Sequence, residues 1–578
     1  MEERAMDEGV DRRSFLRLTG TAGVVGASTM LAGCGEQSGG ETTEATPNEG
    51  DTDQGGEESE ETESGSAQHG GTVTVAMQSD FDNIHPHKSP GTTGIMLVEN
   101  MSNSLYRVSP TGELLPDLAS DMPEVSDDGL QYVVPLKEGV QFHPPYDREM
   151  TAEDVVENFR RILDSDYGAY GRGAYVGTLT GEGIDPEETV QVTDDYEVTF
   201  NLEQTYAPFL MKQASLSSYG WFSIAPPEAI DEHGENLGNA ETGSWATGPF
   251  MYNAEESTAG SEYVLDRNPN YFREDDEGNQ LPYVDRAVIT IAPEASVRTT
   301  QLQSGEIDIN ESVAATDVDS LTGAEGVEIK ETPSTAKTSQ WANIVSYEPT
   351  SNKTVRKAMM NAMNREAIVQ TKFQGHAEIA HSVFPPWHWA YNKDACVTYD
   401  HDPQQAEQLL EEAGYPDGFS LKCEPSNQPK FVDVATLLQQ QYAQVGIDMS
   451  VQPAAKNAAY DPIEDSPPPE DWHSLVENFT WAFSADDYTG ANFHSDAAFN
   501  YTHYSNEEAD ELMMEARHTV DRDRRKELYN DIQGILTDDL PKLFILWNNA
   551  IHGHRSRVNG FRVWPTASIW LEDVWLEQ

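Results

Sequence analysis

Cysteine is nearly absent: Cys34, Cys396 and Cys423 are the three among 578 residues. That is too few for a disulfide framework, so stability has to come from an ordinary apolar core. Cys396 and Cys423 flank an expected helix, and whether they pair is open from the sequence. Basic residues are scarce as well. Lys and Arg total 36, against 100 Asp and Glu, for a formal charge of −64. A field of that sign repels nucleic acid and anionic lipid, which excludes DNA and RNA as partners. It suits molar salt, where the Debye length falls to about 3 Å and self-repulsion is screened, so a halophile such as an archaeon is the expected source. The chain has no G-x-S-x-G elbow, H-E-x-x-H, C-x-x-C or glycine-rich phosphate loop, so catalysis is not expected. A lipid-anchored secreted hydrolase is one alternative class, and a ligand-binding receptor component not coupled to transport is another.

What is there begins with a processing signal. Arg12-Arg13 followed by Ser14-Phe15-Leu16 reads as a twin-arginine export signal. The Gly- and Ala-rich stretch Leu18 to Ala32 is shorter than the roughly 20 apolar residues of a spanning helix. Leu31-Ala32-Gly33-Cys34 resembles a lipobox, with the Cys34 thiol as lipid acceptor and residues 1–33 removed. Residues 35–70 hold eleven acidic residues and no Lys or Arg. Such a segment cannot bury enough apolar surface to fold, so residues 34–70 are expected to be a flexible tether. The expected location is the outer face of the cytoplasmic membrane.

Beyond residue 70 the chain exceeds a single core, and two or three lobes are expected. Gly71–Ala76, Leu130–Leu136 and Glu197–Leu202 read as strands. Thr151-Ala152-Glu153-Asp154 reads as a capping box for a helix burying Val155, Val156, Phe159, Ile162 and Leu163. Further helices are expected from Lys353 to about Phe373, over Gln404–Glu412, and as a pair between Asn506 and Asp539. Leu543–Trp547 reads as a buried strand. Alternating elements of both kinds predict an α/β architecture.

Several blocks resemble the peptide/nickel/opine class of ABC-importer solute-binding proteins, family 5. They are Leu115-Pro116-Asp117-Leu118-Ala119, Lys137-Glu138-Gly139-Val140-Gln141-Phe142-His143, Thr247-Gly248-Pro249-Phe250, Arg267-Asn268-Pro269-Asn270-Tyr271-Phe272, Leu302-Gln303-Ser304-Gly305-Glu306-Ile307-Asp308 and Asn364-Arg365-Glu366-Ala367-Ile368. The resemblance implies a two-lobed Venus-flytrap fold of type II-like character with mixed sheets. Lobe one would take residues 71–335 with an inserted subdomain at about 116–225, lobe two 336–540, and residues 541–578 would return to lobe one. Crossings are expected near Thr338–Ser346 and Leu540–Asn549. Lobe closure on a solute would signal occupancy to the permease subunits of an ABC importer. The chain would act as a monomer held to the membrane through a lipid on Cys34. No cofactor is implied.

In relatives of the resembling class an aspartate seven residues before a Phe pairs with the ligand's amino group. Asp486 stands in that relation to Phe493, with Asp487 and Tyr488 beside it. The alternative for either Asp is a solvated surface carboxylate. Gly490 stands where the pattern has Pro, and no basic residue occurs between Asn478 and Phe483, where some peptide binders keep an Arg. Trp341, Trp387, Trp389 and Trp481 are candidates for a cleft wall or for core. His85, His87, His376, His381 and His388 lack ligand spacing, so no metal site is expected. The ligand, whether peptide, sugar, opine or nickel chelate, stays open.

Overall fold

In the computed structural model, which describes residues 67–81, 83–89, 92–169, 186–213, 223–464, 468–480, 483–497 and 499–577, the chain begins with strand β1 (Thr72–Met77). The export signal with Arg12 and Arg13, Cys34 and Trp481 lie outside the described residues.

A separate four-stranded sheet follows, built from β2 (Glu124–Val125), β3 (Gln131–Pro135), β4 (Val190–Asp194) and β5 (Glu197–Asn201) in the order β2-β3-β5-β4. Helix α1 (Ala152–Leu163) packs on it through Val155, Val156, Phe159, Ile162 and Leu163, the face expected from its spacing. Its capping box forms, with the Thr151 N–H donating to Asp154 Oδ2 at 2.9 Å. One helical turn, α2 (Phe209–Lys212), is pinned by Phe209 against Tyr132 and Phe200, at ring separations of 4.6 and 5.3 Å.

The main sheet has eleven strands. Its first half adds β6 (Phe250–Tyr252), β7 (Glu262–Arg267), β8 (Arg286–Ile291) and β9 (Ile309–Asn310) to β1, around a core that includes Val73, Ile289 and Leu571. Strand β10 (Val327–Ala342) then leads to helices α3 (Lys353–Ala362) and α4 (Arg365–Lys372), strand β11 (Ala377–Ile379), helix α5 (Pro403–Glu412), strand β12 (Phe419–Cys423), helix α6 (Pro429–Ala443), and strands β13 (Ile447–Val451) and β14 (Ser474–Thr480). Short helix α7 (Ala485–Tyr488), the pair α8 (Glu507–His518) and α9 (Arg522–Asp539), and strand β15 (Leu543–Arg555) complete it. The strand order is β13-β12-β14-β10-β15-β9-β1-β8-β7-β6, with β11 beside β15. A second core, including Val355, Met359, Leu421 and Ile447, lies in this later half.

Strands β10 and β15 form one antiparallel pair that runs through both halves, from Val327↔Arg555 to Gln340↔Leu543. Their ladder slips in the middle. Between Pro333↔Asn549 and Lys337↔Trp547, the three residues Ser334, Thr335 and Ala336 stand opposite Asn548. Proline lacks an N–H, which makes a bulge its natural place in a strand.

Two expectations change. The helix expected from Lys353 to Phe373 is broken in two, because the Asn364 side chain accepts from the Ala367 N–H at 2.8 Å and starts a new helix. Leu543–Trp547 is the opening of a strand that extends to Arg555, because β10 supplies a partner along its length. Cys396 and Cys423 are both free thiols. Among the described residues no helix is long and apolar enough to cross a membrane.

Candidate functional site

The four-stranded unit and the later half of the main sheet meet over one short front. On the later side, β14 ends and the chain turns into α7, whose Ala485, Asp486, Asp487 and Tyr488 are all buried. Facing it is the segment that ends in α2. A helix leaves its last carbonyls without partners, and at the C-terminus of α8 those groups are satisfied across the junction. The Ala207 N–H donates to Arg517 O at 2.9 Å and the Thr205 hydroxyl to His518 O at 3.0 Å. Gly112, whose φ of +79° is the left-handed conformation that favours glycine, turns the opposing loop up to the Phe483 and Trp387 rings.

Within this junction the structure gathers two carboxylates and two cations. Arg517 Nε lies 3.1 and 3.2 Å from the two oxygens of Asp486. Asp487 Oδ1 accepts from Lys212 Nζ at 2.5 Å, and Asp487 Oδ2 has no hydrogen-bond partner among the described residues. Burial pushes the Asp487 carboxyl above the usual range, against the pull of Lys212. Neither aspartate is the solvated carboxylate that the sequence left open, since each is 3 % exposed. The glycine at 490 has a physical reason: a Cβ there would come within 2.5 Å of Asp486 Oδ1 and 2.7 Å of Arg517 Nη2.

The other expected residues divide. Tyr488 packs edge-on against Phe384, His388 and Trp547 in the core behind the carboxylates. Trp387 is half-buried at the junction, 5.6 Å from the Phe483 ring, and its indole N–H has no acceptor among the described residues. Trp341 is fully buried, stacked on Tyr501 at 5.7 Å. Trp389 lies between Arg522 and Arg525, at 4.9 and 5.4 Å from its ring centre, and touches Tyr529. Burial pulls His87, His143 and His388 down to about 4, so they are neutral at pH 7 and hydrogen-bond to backbone carbonyls. Among the described residues no three His, Cys, Asp or Glu side chains are grouped to hold a metal ion.

Sequence reasoning missed Lys212 and Arg517, and with them two lysines behind the junction. Lys337 on β10 donates to Val383 O at 3.0 Å and lies 4.3 Å above the Phe544 ring. Lys542 donates to Asn492 Oδ1 at 2.7 Å and lies 4.1 Å above Trp341. The usable signal was scarcity: the chain has only 14 lysines, so one inside an apolar segment such as Phe209-Leu210-Met211-Lys212 stands out.

Two sheet halves joined by a paired strand ladder, with a four-stranded unit that meets the later half over a buried charged junction, define the two-lobed fold of a periplasmic-type binding protein. The chain belongs to the family described as "Bacterial extracellular solute-binding proteins, family 5 Middle", whose profile matches residues 113–511. It is 29 % identical over 497 residues to the dipeptide-binding protein of Escherichia coli K12, covering 81 % of this chain and 87 % of that protein. It is 28 % identical over 537 residues to the oligopeptide-binding protein AppA of Bacillus subtilis, covering 89 % and 93 %. The structure of AppA from Bacillus subtilis in complex with a nonapeptide superposes with a TM-score of 0.72 at 25 % identity, over 89 % of this chain and all of that one. The fold thus matches the two-lobed α/β architecture expected from the sequence.

Proposed function

We propose that this protein captures an oligopeptide, or a similar small organic solute bearing an amine, between its lobes and delivers it to the permease of an ABC importer. The observation that carries this reading is the adjacent buried pair Asp486–Asp487 at the lobe junction, of which Asp487 Oδ2 lacks a partner among the described residues. A buried carboxylate is a strong acceptor for an ammonium group. The peptide-binding names of the relatives support the choice of ligand. In this reading lobe one is residues 71–335 with 541–578, its inserted subdomain is about 116–225, and lobe two is 336–540.

The test is calorimetric titration of ligand-stripped protein with di-, tri- and pentaalanine. At least one should bind, and Asp486→Asn should weaken it about tenfold, roughly 1.4 kcal/mol. Absence of heat with all three peptides would sink the peptide reading.

The same proposal places the protein outside the cell. Arg12 and Arg13 direct export, Cys34 carries the lipid, and the acidic tether up to residue 70 gives the monomeric binding domain reach to its permease. The charge of −64 fits a salt-loving, archaeal-type host. Membrane fractionation of Cys34→Ser should move the protein from the pellet to the soluble fraction; retention in the pellet would refute anchoring through Cys34.

A further inference from the structure

In the later half of the chain a small cavity lies where the start of α4, the residues after β11, the loop 397–399 and the end of α9 meet. It leaves about 10 Å³ for the centre of a water-sized body, which is room for one. Met360, Leu540 and Phe544 give it apolar walls, and Arg365 and His381 are among its polar lining.

Both polar side chains have donors to spare. A guanidinium offers five N–H groups, and Arg365 places three of them, on Ala380 O and Tyr399 O at 2.7 Å each and on Phe544 O at 3.3 Å. Those partners are neutral carbonyls. Arg365 is 6 % exposed, and among the described residues no carboxylate lies within ion-pair distance of it. A buried charge in that condition is costly until an anion joins it. His381 Nδ1 is shielded from water and has no hydrogen-bond partner among the described residues. Burial, and then the charges of Arg365 and Lys393, pull His381 down to about 4 against the opposing charge of Asp400. The ring is therefore neutral at pH 7 and can carry its hydrogen on Nδ1.

Sign, size and walls define what fits. Uncommitted N–H groups and an unpaired cation call for a negatively charged acceptor. A carboxylate, phosphate or sulfate needs room for several atoms, and the cavity has room for one. Methyl and phenyl walls suit a weakly hydrated ion, which chloride and bromide are and fluoride is not.

We propose that this cavity is a halide site, in which a chloride ion takes hydrogen bonds from the Arg365 guanidinium and the His381 Nδ1–H and pins α4, the loop 397–399 and α9 to one another. The chain's charge of −64 repels anions at large, so the ion is held by this local arrangement and needs plentiful chloride to fill it. Part of the protein's response to salt is then binding, which depends on the anion, and only the remainder is screening. The inference does not depend on the peptide reading.

Two measurements on the full chain test it. The first is anomalous diffraction at the bromine edge from crystals of the parent grown in sodium bromide. A bromine peak within hydrogen-bond reach of Arg365 and His381 Nδ1 is expected, and a water molecule or no density there would overturn the proposal. The second compares thermal midpoints of parent and His381→Phe in sodium chloride and in sodium gluconate, whose anion is too large to enter, at equal ionic strength. The parent should melt about 2 °C higher in chloride, the shift for a ligand roughly tenfold above its Kd, and His381→Phe should lose at least half of that gap. Equal gaps in the two proteins would overturn the site, because the response to chloride would then be general. Should His381→Phe fail to fold, the bromide crystal of the parent still decides the matter.

Discussion

Replacing Lys337 with Met is expected to stabilise the protein at pH 7, by on the order of 2–4 kcal/mol. Lys337 is 3 % exposed, and its ammonium has a backbone carbonyl and two aromatic rings for company but, among the described residues, no carboxylate within ion-pair distance. Burial pulls its pKa from the ordinary 10.5 down to about 7, and Lys542 is pulled down as well, by burial first and then by the neighbouring charge of Lys337. The sign follows from linkage. Between pH 7 and 10.5 the unfolded chain holds a proton on residue 337 that the folded protein has shed. Folding then releases a proton, so stability rises with pH across that window, by up to about 1.4 kcal/mol per unit from this group. Methionine fills the same space without a charge to desolvate. The gain should therefore be largest at neutral pH and shrink as pH approaches 10. Denaturant titrations of parent and variant at pH 7, 8.5 and 10 measure it, and a destabilised variant whose deficit is the same at all three would contradict this account.

The second large effect has the opposite direction. Arg273→Met should destabilise the protein by about 3–5 kcal/mol. Its guanidinium is 2.8 and 2.7 Å from the two oxygens of Glu572 and also bonds Asp117, while Arg107 reaches Glu572 at 2.6 Å and the Tyr271 hydroxyl donates to it at 2.8 Å. The cluster fastens the segment around Glu572 to those that carry Arg107, Asp117 and Arg273. Burial would lower the Arg273 pKa, yet Asp117 and Glu572 hold it above the ordinary arginine range. Removing Arg273 takes the cation away from the buried Asp117 and leaves Glu572 with Arg107 alone. Removing all three charges together, in Arg273→Met with Asp117→Asn and Glu572→Gln, should be milder than the single change, because no buried carboxylate is stranded and Arg107, the cation that loses Glu572, is 29 % exposed. Unfolding midpoints of the single and triple variants decide it. A single variant within 1 kcal/mol of the parent would mean that water already screens the cluster.

Much of the fold was legible because it was written locally. The Thr151 capping box, the Asp402–Pro403 start of α5 and the positive-φ Gly414 after it are choices made within a few residues. The Asn364 side chain was equally local but was overridden in the reading by continuous apolar spacing from Val355 to Ile368. Strand β10 was less legible. Val327 to Ala336 mixes charges with Pro333 and shows no clean alternation, and it is a strand because β15 pairs with it from the far end of the chain. The site shows the same division. Asp486 is a candidate from its offset from Phe493, whereas Lys212 and Arg517 join the candidate site only through contacts with residues 275 and 31 positions away.

The slipped ladder between Pro333 and Lys337 also bears on how the protein moves. A folded sheet of paper bends where it has been creased, and here the crease is a missing stretch of stitching. Ser334 to Ala336 have a single residue of β15 opposite them, and Thr335 sends its N–H to Pro565 instead of to a strand. Turning one half of the sheet against the other at this point changes a few backbone dihedrals and leaves the ladders on both sides intact. Solute affinity is then set by what the lobes gain at their junction, with little subtracted for bending the strands that join them.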